Sequence, residues 1–490
     1  MVSVSIKNNL MCTLEGNLKV LQRLYKEYSI KHPAAFYITR KNSKWDGIIS
    51  FISNKGNFKI GLLPSVIQRL KELNEEFEVY DYRIPFRHIP RIPKKLGNKN
   101  LYPRQIKALE LLLNNKIKMD GKRDIPFLIE AGGYSVGFGK TLLFAGLFKS
   151  FEGKVPTILL LNDSDLFNQM KDEIPQLLPE YKDEICFIRG GNITKWGKFN
   201  IAMVQSLSRN LRQYQYNLAQ MQMVLLDECD IINNKTYKEV INRLYNAYIR
   251  IGLSGTLYMS DKARDRIRNM NIKCFIGEKV DSVELFDQIK ENKATPVIVK
   301  MIYIDPNKAP IPKLDRSIDY LRDYQQVLIN PYAMEKSWER AMYNAKYGRF
   351  PMIIVTKYIE HCYKLYQFYQ KKIQEEGLPY TLNFVHHDVR NREKILKNFR
   401  EGKIDILIST LIIARGKNMP LLKYLQQSGS LDSEEKTIQI LGRLIRKHES
   451  KNKTYLDDLV FPGKYLTRHG NHRKNYYLKQ RLKVIKIKNG

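Results

Sequence analysis

Residues 134–141 read Tyr-Ser-Val-Gly-Phe-Gly-Lys-Thr, and this stretch decides the fold that the chain is expected to adopt. It follows the short apolar segment Phe127–Glu130, which is typical of a buried strand, and it precedes the helical stretch Leu142–Phe148. Glycines between a strand and a helix let backbone amides surround a phosphate group, and the helix N-terminus adds its dipole. The stretch therefore predicts a phosphate-binding loop.

Four residues of this loop have expected roles. Gly137 and Gly139 shape the loop around a nucleotide. Lys140 reaches the β- and γ-phosphates, and the hydroxyl of Thr141 binds Mg²⁺. The leading glycine, Gly133, stands one residue too early for the usual pattern, so a purely structural turn is the alternative interpretation.

An acidic cluster further along the chain supports the phosphate loop. The apolar run Met223–Leu226 ends at Asp227-Glu228-Cys229-Asp230, 87 residues after Lys140. In a doubly wound sheet, ligands bind at the carboxyl ends of the strands. Asp227 is expected to hold Mg²⁺ through water, and Glu228 to polarise the attacking water. The two elements together predict a nucleoside triphosphatase with ATP and Mg²⁺ as cofactors.

Short apolar runs alternate with amphipathic helical patterns from residue 101 onward. Strands of this kind are buried on both faces, which favours α/β lobes with parallel sheets. The runs are Phe127–Glu130, Thr157–Leu161, Met223–Leu226, Ile251–Leu253, Met352–Val355 and Ile404–Ile408. Because prolines interrupt the pattern around residues 296–330, we expect one lobe at residues 96–295 and a second at residues 296–460.

Residues 1–95 predict a small N-terminal α+β module. Leu18–Tyr28 and Leu63–Leu73 have helical spacing, whereas Phe36–Thr39 and Ile48–Ile52 alternate like strands. Basic residues spaced by prolines close the module, and they predict an extended linker that ends near residue 95.

The charge of the chain indicates a polyanionic partner. There are 83 Lys+Arg against 50 Asp+Glu, a formal net charge of +33. An excess of this size usually means nucleic acid, with solubility or codon bias as the alternative. Residues 96–295 carry only +6, whereas a basic C-terminal tail at residues 461–490 has nine Lys/Arg and no acid. We expect the tail to bind phosphates, with Tyr465, Tyr476 and Tyr477 available for stacking; a solvated, disordered end is the other interpretation.

Composition excludes several classes of protein. Hydrophobic residues make up 43% and charged residues 27%, so the chain is not a disordered polyampholyte. No apolar run approaches the roughly 20 residues of a membrane-spanning helix, and Met1–Leu10 does not resemble a signal peptide. The five cysteines lack metal-ligand spacing, which favours a reducing compartment. We expect a monomer in the cytoplasm (the host cytoplasm if the protein is viral), with no membrane partner.

Five further strings resemble, in order, motifs of superfamily 2 helicases over about residues 100–450. They are Tyr102-Pro103-Arg104-Gln105, Ser254-Gly255-Thr256, Ser409-Thr410, Ala414-Arg415-Gly416 and Gln439-Ile440-Leu441-Gly442-Arg443-Leu444-Ile445-Arg446. This resemblance implies two RecA-like lobes in tandem, with ATP bound between them and single-stranded DNA running across both.

The resemblance also implies residue roles. Those implied to contact the nucleotide are Tyr102, Gln105, Gly416 and Gln439, with Gln105 reading the purine. Asp230, Ser254 and Thr256 are implied to couple hydrolysis to strand movement. Those implied to contact the nucleic-acid backbone are Gln205, Ser206, Thr410 and Arg415, although Gln205 and Ser206 could equally begin a helix.

Two arginines are candidates for stabilising the charge that develops on the γ-phosphate. Arg443 and Arg446 lie three residues apart, on one face of a predicted helix, so both could point into one cleft. An arginine finger can raise hydrolysis by several orders of magnitude. Pairing with surface acids is the alternative.

Some positions depart from the helicase patterns. Asn418 stands where an aspartate commonly meets the ribose, which leaves that contact open. The Asp-Glu-Cys-Asp cluster and the segment Leu161–Gln169 both differ from the strings of DEAD-box RNA helicases, which counts against that subgroup.

Within superfamily 2 the chain most resembles UvsW-type helicases of phages. Lys44-Trp45-Asp46-Gly47 and Gly61-Leu62-Leu63 parallel their small N-terminal domain, and this resemblance implies that the N-terminal module of residues 1–95 binds DNA. Trp45 could stack on an exposed base, or it could anchor a hairpin. The linker residues expected to bind phosphates are Arg87, Arg91, Lys94 and Lys95.

The resemblance implies ATP-driven unwinding of DNA, with fork regression and branch migration in replication, recombination and repair. The expected partners are single-stranded and branched duplex DNA, with recombination or replication proteins as further candidates. An RNA helicase is the second hypothesis. A DNA-binding scaffold with a non-hydrolysing nucleotide site is the third, and the joint presence of Glu228, Arg443 and Arg446 argues against it.

Overall fold

The computed structural model describes residues 1–41, 45–119, 124–135, 137–191, 195–257, 263–308, 328–414 and 419–488. The chain divides into two compact units, Met1–Tyr134 with Gly139–Ser282, and Ser135–Phe138 with Val283–Gly490. Within the described ranges no helix is long and apolar enough to cross a membrane.

The first unit begins with an α+β layer whose four-stranded sheet has the order β5-β2-β1-β6. Its elements are β1 (Val2–Ile6), β2 (Met11–Gly16), α1 (Leu18–Glu27), β3 (Ser29–Lys31), α2 (Ala35–Lys41), β4 (Ile48–Ser50), β5 (Asn57–Lys59), α3 (Leu63–Glu72) and β6 (Phe77–Asp81). The strand predicted at Phe36–Thr39 is wrong, because this segment lies in the helix α2. There the hydroxyl of Thr39 donates to the carbonyl of Ala35 at 2.8 Å, a bond between successive helical turns.

This N-terminal layer shares one continuous core with the lobe that follows. Ile60 and Ile67 belong to the same buried cluster as Ile272 and Phe275. At Gly61 the two parts approach so closely that a Cβ atom would lie 1.9 Å from the carbonyl oxygen of Lys273. The N-terminal layer therefore packs as part of the first unit, in spite of the linker that follows it.

The first lobe is a seven-stranded sheet of order β13-β14-β12-β15-β16-β11-β17. Its elements are β7 (Lys95–Leu96), β8 (Lys99–Asn100), α4 (Pro103–Leu113), β9 (Lys116–Ile117), β10 (Ile125–Pro126), β11 (Ile129–Tyr134), α5 (Lys140–Lys149), β12 (Thr157–Leu161), α6 (Ser164–Leu177), β13 (Ile185–Ile188), β14 (Phe199–Met203), α7 (Val204–Arg209), α8 (Leu211–Gln220), β15 (Met223–Asp227), α9 (Lys235–Ile241), β16 (Ile249–Ser254), α10 (Ala263–Ile276) and β17 (Glu278–Val283). The strands from β11 to β16 pair in parallel and are almost wholly buried. This arrangement confirms the parallel α/β prediction.

The second unit contains another seven-stranded sheet, of order β20-β21-β19-β22-β23-β18-β24, with parallel pairing throughout. Its elements are α11 (Leu285–Lys290), β18 (Val297–Tyr303), α12 (Pro331–Lys346), β19 (Met352–Val355), α13 (Ile359–Glu375), β20 (Leu382–Val385), α14 (Arg392–Arg400), β21 (Ile406–Ser409), β22 (Tyr424–Gln427), α15 (Glu434–Leu444), β23 (Thr454–Val460), α16 (Lys464–Lys479) and β24 (Val484–Lys488). The second sheet repeats the strand order of the first, because adding seven to the number of each strand of the first sheet gives the order of the second.

The second unit begins at Val283, earlier than the predicted boundary at residue 296. The reason is α11, because Leu285 is fully buried in the core of the second unit. The prolines that indicated the boundary all follow residue 295, so the predicted boundary falls after α11.

The C-terminal segment belongs to the second sheet, so the prediction of a separate tail is wrong. Residues 461–490 were expected to be a separate basic tail, yet α16 packs on the second sheet and β24 pairs with β18 as its seventh strand. Tyr477, predicted to be available for stacking, is buried, and its hydroxyl donates to Asp458 at 2.9 Å. Arg473 is fully buried as well, in an ion pair with the same carboxylate. Some of the basic residues of this segment are therefore structural.

Candidate active site

The predicted phosphate loop connects β11 to α5, as the sequence analysis expects. Gly137 and Gly139 have φ values of +95° and +92°, a region that side chains with a Cβ rarely adopt. At Gly139 a Cβ would also lie 2.7 Å from Nε2 of Gln105. The loop conformation therefore requires glycine at this position.

Lys140 begins α5, and its ammonium lies 3.2 Å from Oδ1 of Asp227. Burial disfavours the charged lysine, but the carboxylates of Asp227 and Glu228 outweigh burial and raise its pKa above the usual value. The strand register explains why Lys140 and Asp227 lie close together. Gly133 of β11 pairs with Ser254 of β16, and the preceding residue of β16, Leu253, pairs with Asp227 of β15. The structure thus brings together the lysine and the acid that the sequence predicts for one site.

Glu228 adopts a left-handed conformation, with a φ of +48°. Such a conformation is uncommon for a residue other than glycine and is found most often where function requires it. The backbone amide of Glu228 donates to Oδ1 of Asp227 at 3.0 Å, so the Asp227 carboxylate stabilises this turn. Thr141, in the first turn of α5, is partly exposed.

The three residues implied to couple hydrolysis to movement lie in direct contact. The hydroxyl of Ser254 donates to Asp230 at 2.9 Å, and the hydroxyl of Thr256 donates to the other oxygen of the same carboxylate at 3.3 Å. All three side chains are buried. Arg268 completes the cluster, because it lies 3.3 Å from the Asp230 carboxylate and donates to the Thr256 carbonyl at 3.1 Å.

Sequence reasoning missed Arg268 and Tyr237. Arg268 lies on α10 among several arginines, and nothing in the pattern marks it out. Tyr237 is buried on α9, and its pKa is raised well above the usual value, first by burial and then by the charges of Asp227 and Glu228. Neither residue lies inside a recognised motif, so the sequence alone does not indicate a role for them.

Gln105 and Tyr102, the predicted adenine contacts, lie at the start of α4. The Gln105 side chain is buried, and its Oε1 accepts the backbone N–H of Tyr102 at 3.0 Å. Tyr102 itself is half exposed. The structure therefore places Gln105 against Gly139 of the phosphate loop, and the adenine contact stays a prediction.

In the second unit, Gln439 and Arg443 lie one turn apart on α15, and both are largely buried. Arg446 lies beyond the end of this helix, which stops at Leu444, so the prediction that both arginines share a helical face is wrong. The carbonyl of Arg446 accepts the hydroxyl of Thr295 at 3.3 Å, and Arg446 forms an isolated β-bridge with Ala294.

Two of the residues predicted to contact the nucleic-acid backbone form side-chain hydrogen bonds within the protein itself. Gln205 and Ser206 lie inside α7, where Gln205 donates to Asn162 and Ser206 accepts the amide of Gly190 at 2.9 Å. Thr410 follows β21 and is buried. Arg415 and Gly416, like Asn418, lie outside the described residues.

The predicted DNA contacts of the N-terminal layer differ in exposure. Trp45 is half-buried, and its indole N–H donates to the carbonyl of Ile48 at 3.1 Å, as expected of a hairpin anchor. Arg87, Lys94 and Lys95 are exposed. Arg91 is exposed too, although it lies 3.0 Å from Glu152.

Two families match the chain in the order of its two sheets. The family described as Type III restriction enzyme, res subunit, matches residues 98–259, and the family described as helicase conserved C-terminal domain matches residues 339–448. The first covers the phosphate loop and the acidic cluster, and the second covers α15. Together with two RecA-like lobes in tandem, these matches define a superfamily 2 helicase.

The chain has curated relatives among helicases named for DNA and helicases named for RNA. The chain is 20% identical to IRC3 of Saccharomyces cerevisiae, named as an ATP-dependent helicase, over 66% of this chain and 47% of that protein. It is 23% identical to the ATP-dependent DNA helicase uvsW of Enterobacteria phage T4, over 69% of this chain and 66% of that protein. RNA helicases match as well, among them rok1 of Aspergillus fumigatus, 24% identical over 44% of this chain and 28% of that protein.

The fold is also found among solved structures. The ATP-dependent Type ISP restriction-modification enzyme LlaBIII, solved bound to DNA, has a TM-score of 0.56 at 14% identity, covering 86% of this chain and 34% of that one. At this identity the likeness shows a shared fold. The two family matches make the chain a superfamily 2 helicase, and uvsW is among its relatives. The chain spans about half the length of the curated relatives it matches first, 47% and 56%.

Proposed function

We propose that this protein is an ATP-dependent DNA helicase or translocase that unwinds and remodels branched DNA. The observation that carries the proposal is the position of Lys140 at 3.2 Å from Asp227, beside the buried cluster of Asp230, Ser254 and Thr256. Lys140 and Asp227 are suited to phosphate chemistry. The cluster of Asp230, Ser254 and Thr256 is suited to responding to the state of the bound nucleotide.

The first part would hold the nucleotide and its metal. The glycine loop and Lys140 would bind the phosphates, because backbone amides and an ammonium are the groups that phosphate prefers. The donors available for Mg²⁺ are the Thr141 hydroxyl and the Asp227 carboxylate, and oxygen donors of this kind fit the ion. Bound Mg²⁺ would supply charge neutralisation at the phosphates.

Residues of the chain would do the rest of the chemistry. Glu228, held in its left-handed turn, would accept a proton from the attacking water. Arg443 and Arg446 of the second unit are our candidates for countering the charge on the γ-phosphate.

The second part of the site would transmit the state of the nucleotide. Asp230 lies two residues after Glu228, and its carboxylate accepts hydrogen bonds from Ser254, the last residue of β16, and from Thr256. A shift of the acidic turn by even a few tenths of an ångström would change these bonds, because buried hydrogen bonds are sensitive to distance. This is the physical basis for proposing that hydrolysis and movement are coupled here.

DNA is the proposed substrate because uvsW is named as a DNA helicase and matches 69% of this chain. The proposed role in fork regression and branch migration follows from the same resemblance, as do single-stranded and branched duplex DNA as partners. An RNA helicase is the second candidate function, favoured by the matches to curated RNA helicases.

A substrate panel tests the proposal. ATP hydrolysis and strand separation are measured with single strands, forks, four-way junctions and an RNA duplex, at one salt concentration. We expect the greatest stimulation of hydrolysis by DNA, with forks and junctions unwound. Greater stimulation by RNA would support the second candidate, and nucleotide binding without turnover on any substrate would refute both.

A further inference from the structure

A cavity of about 530 Å³ lies in the first unit, between the N-terminal layer and the lobe that follows. Four segments form its walls. They are the turn after β1 (Lys7, Asn8 and Asn9), the linker residues Tyr82–His88, and two loops of the lobe that hold Gln220, Gln222, Asn246 and Tyr248. Its volume is within the range of cavities that hold small organic ligands.

The cavity is separate from the proposed ATP site. Gln222 directly precedes β15, and Tyr248 directly precedes β16, so these residues mark the amino ends of the two strands. Asp227 and Ser254 mark the carboxyl ends of the same strands. At about 3.3 Å per residue, the five residues of β15 put about 16 Å between the two edges of the sheet.

The walls of the cavity are held in place by interactions within the first unit. Arg83 forms two hydrogen bonds to Asp81, at 2.9 and 2.7 Å, and its guanidinium lies 4.6 Å above the ring of Tyr248. The ring of Phe86 stacks on Tyr248, with centroids 4.9 Å apart and an angle of 11° between the planes. The linker is therefore docked on the lobe, and the cavity has a preformed aromatic wall.

The charge of the lining is positive. Lys7 and Arg87 line the cavity, and no aspartate or glutamate is among its lining residues. Within the described residues neither of these two side chains forms an ion pair; the ammonium of Lys7 lies 5.6 Å from the centre of the Tyr82 ring. Both cations are exposed and could bind phosphate oxygens.

The remaining polar side chains suit the edges of a nucleobase. Gln220 and Gln222 each carry an amide that both donates and accepts, and no partner for either amide is present in the part of the chain that the structure describes. Exposed apolar side chains continue from the cavity along the linker, with Ile84 at 87% and Ile89 at 86% exposure. Aromatic faces, amide edges and cations in one cavity are what a base and its phosphate require together.

We propose that this cavity binds a nucleotide of a single nucleic-acid strand, with the base against the aromatic wall and the phosphate between Lys7 and Arg87. The inference deepens the proposed helicase function, because it adds a strand-binding site at the sheet edge opposite the ATP chemistry.

The test measures binding of a fluorescein-labelled 12-nucleotide oligothymidylate to the full chain without ATP. The variant Lys7→Ala/Arg87→Ala is compared with Lys19→Ala/Lys55→Ala, which removes the same charge from exposed sites outside the cavity lining. We expect about tenfold weaker binding for the first variant, since two exposed charged contacts of about 0.7 kcal/mol each total about 1.4 kcal/mol, a factor of ten. We also expect the slope of log affinity against log salt to fall by about 1.4 for two phosphates. Equal binding by the two variants would overturn the proposal.

A second measurement needs no variant. Oligothymidylate carrying 5-iododeoxyuridine is crosslinked to the wild-type chain by ultraviolet light, and we expect adducts within Tyr82–His88. Adducts found only elsewhere would overturn the proposal. Because neither measurement involves ATP, their failure is distinct from a failure of the proposed hydrolysis.

Competition identifies the source of the ligand. Displacement of the oligonucleotide by free thymidine monophosphate supports a site for nucleotides in general, and displacement only by strands supports a strand site. A polyglutamate peptide that competes as well as the oligonucleotide would overturn the proposal in favour of an acidic protein partner.

Discussion

Replacing Arg473 with methionine should destabilise the second unit strongly. Arg473 and Asp458 are both fully buried, and their closest atoms lie 2.6 Å apart. The guanidinium also donates to the carbonyls of Leu431 and Leu459, at 2.6 and 3.2 Å. Arg473→Met leaves the carboxylate buried with only the hydroxyl of Tyr477 bonded to it.

The magnitude follows from the burial of both charges. Removing one partner of a buried ion pair costs about 3–5 kcal/mol, because the other charge is left uncompensated. For a unit of this size, about 2–4 °C of melting temperature is lost per kcal/mol, so the transition should fall by roughly 6–20 °C. Differential scanning calorimetry of the full chain measures this shift.

Two further variants make the result interpretable. Lys488→Met removes the same charge from an exposed site in the same segment, and it should change the free energy of unfolding by no more than about 0.5 kcal/mol. Arg473→Met/Asp458→Leu should recover much of the loss, because no buried charge remains. If Arg473→Met and Lys488→Met melt alike, residues 461–488 do not belong to the core of the second unit.

Three other outcomes are expected. Gly139→Ala should abolish binding of a fluorescent ATP analogue, because the new Cβ would lie 2.7 Å from Gln105 at a φ of +92°; binding within twofold of wild type would contradict the loop geometry. Ser254→Ala/Thr256→Ala removes two bonds to Asp230 and should lower strand separation by about five- to 150-fold, since two hydrogen bonds are worth about 1–3 kcal/mol, while ATP hydrolysis changes less; equal losses in both assays would argue against coupling. Burial lowers the pKa of His361 to about 4, so the unfolded chain takes up a proton first as the pH falls below about 6.5. The free energy of unfolding should therefore fall between about pH 6.5 and pH 4, by up to about 3 kcal/mol. This part of the pH dependence should disappear in His361→Gln, and identical pH profiles for the variant and the wild type would contradict the prediction.

The sheet topology could be predicted only in part from the sequence. Runs such as Thr157–Leu161 and Met352–Val355 are buried on both faces, so their apolar character is enough to predict parallel strands. The repeat of one strand order in both sheets carries no trace in the sequence, because topology constrains burial and not residue identity. The seventh strand of the second sheet, Val484–Lys488, could not be predicted, because it lies at the sheet edge, is only partly buried, and stands in an acid-free basic segment that resembles a solvated tail.

The candidate site was more predictable than the residues around it. Lys140 and Asp227 could be paired from sequence because a parallel sheet brings the carboxyl ends of its strands to one edge. Arg268 could not, since its contact with Asp230 depends on how α10 packs. Phe36–Thr39 shows the reverse error, in which a four-residue alternation is too short to distinguish a strand from one helical turn.

The most direct test of the proposed function is DNA-stimulated ATP hydrolysis by Lys140→Ala, with Lys149→Ala as the matched control at the other end of the same helix. The proposal predicts that Lys140→Ala abolishes turnover while the melting temperature and most DNA binding are retained, and that Lys149→Ala hydrolyses ATP like the wild type. Hydrolysis by Lys140→Ala at the wild-type rate would contradict the assignment of an ATP-driven motor.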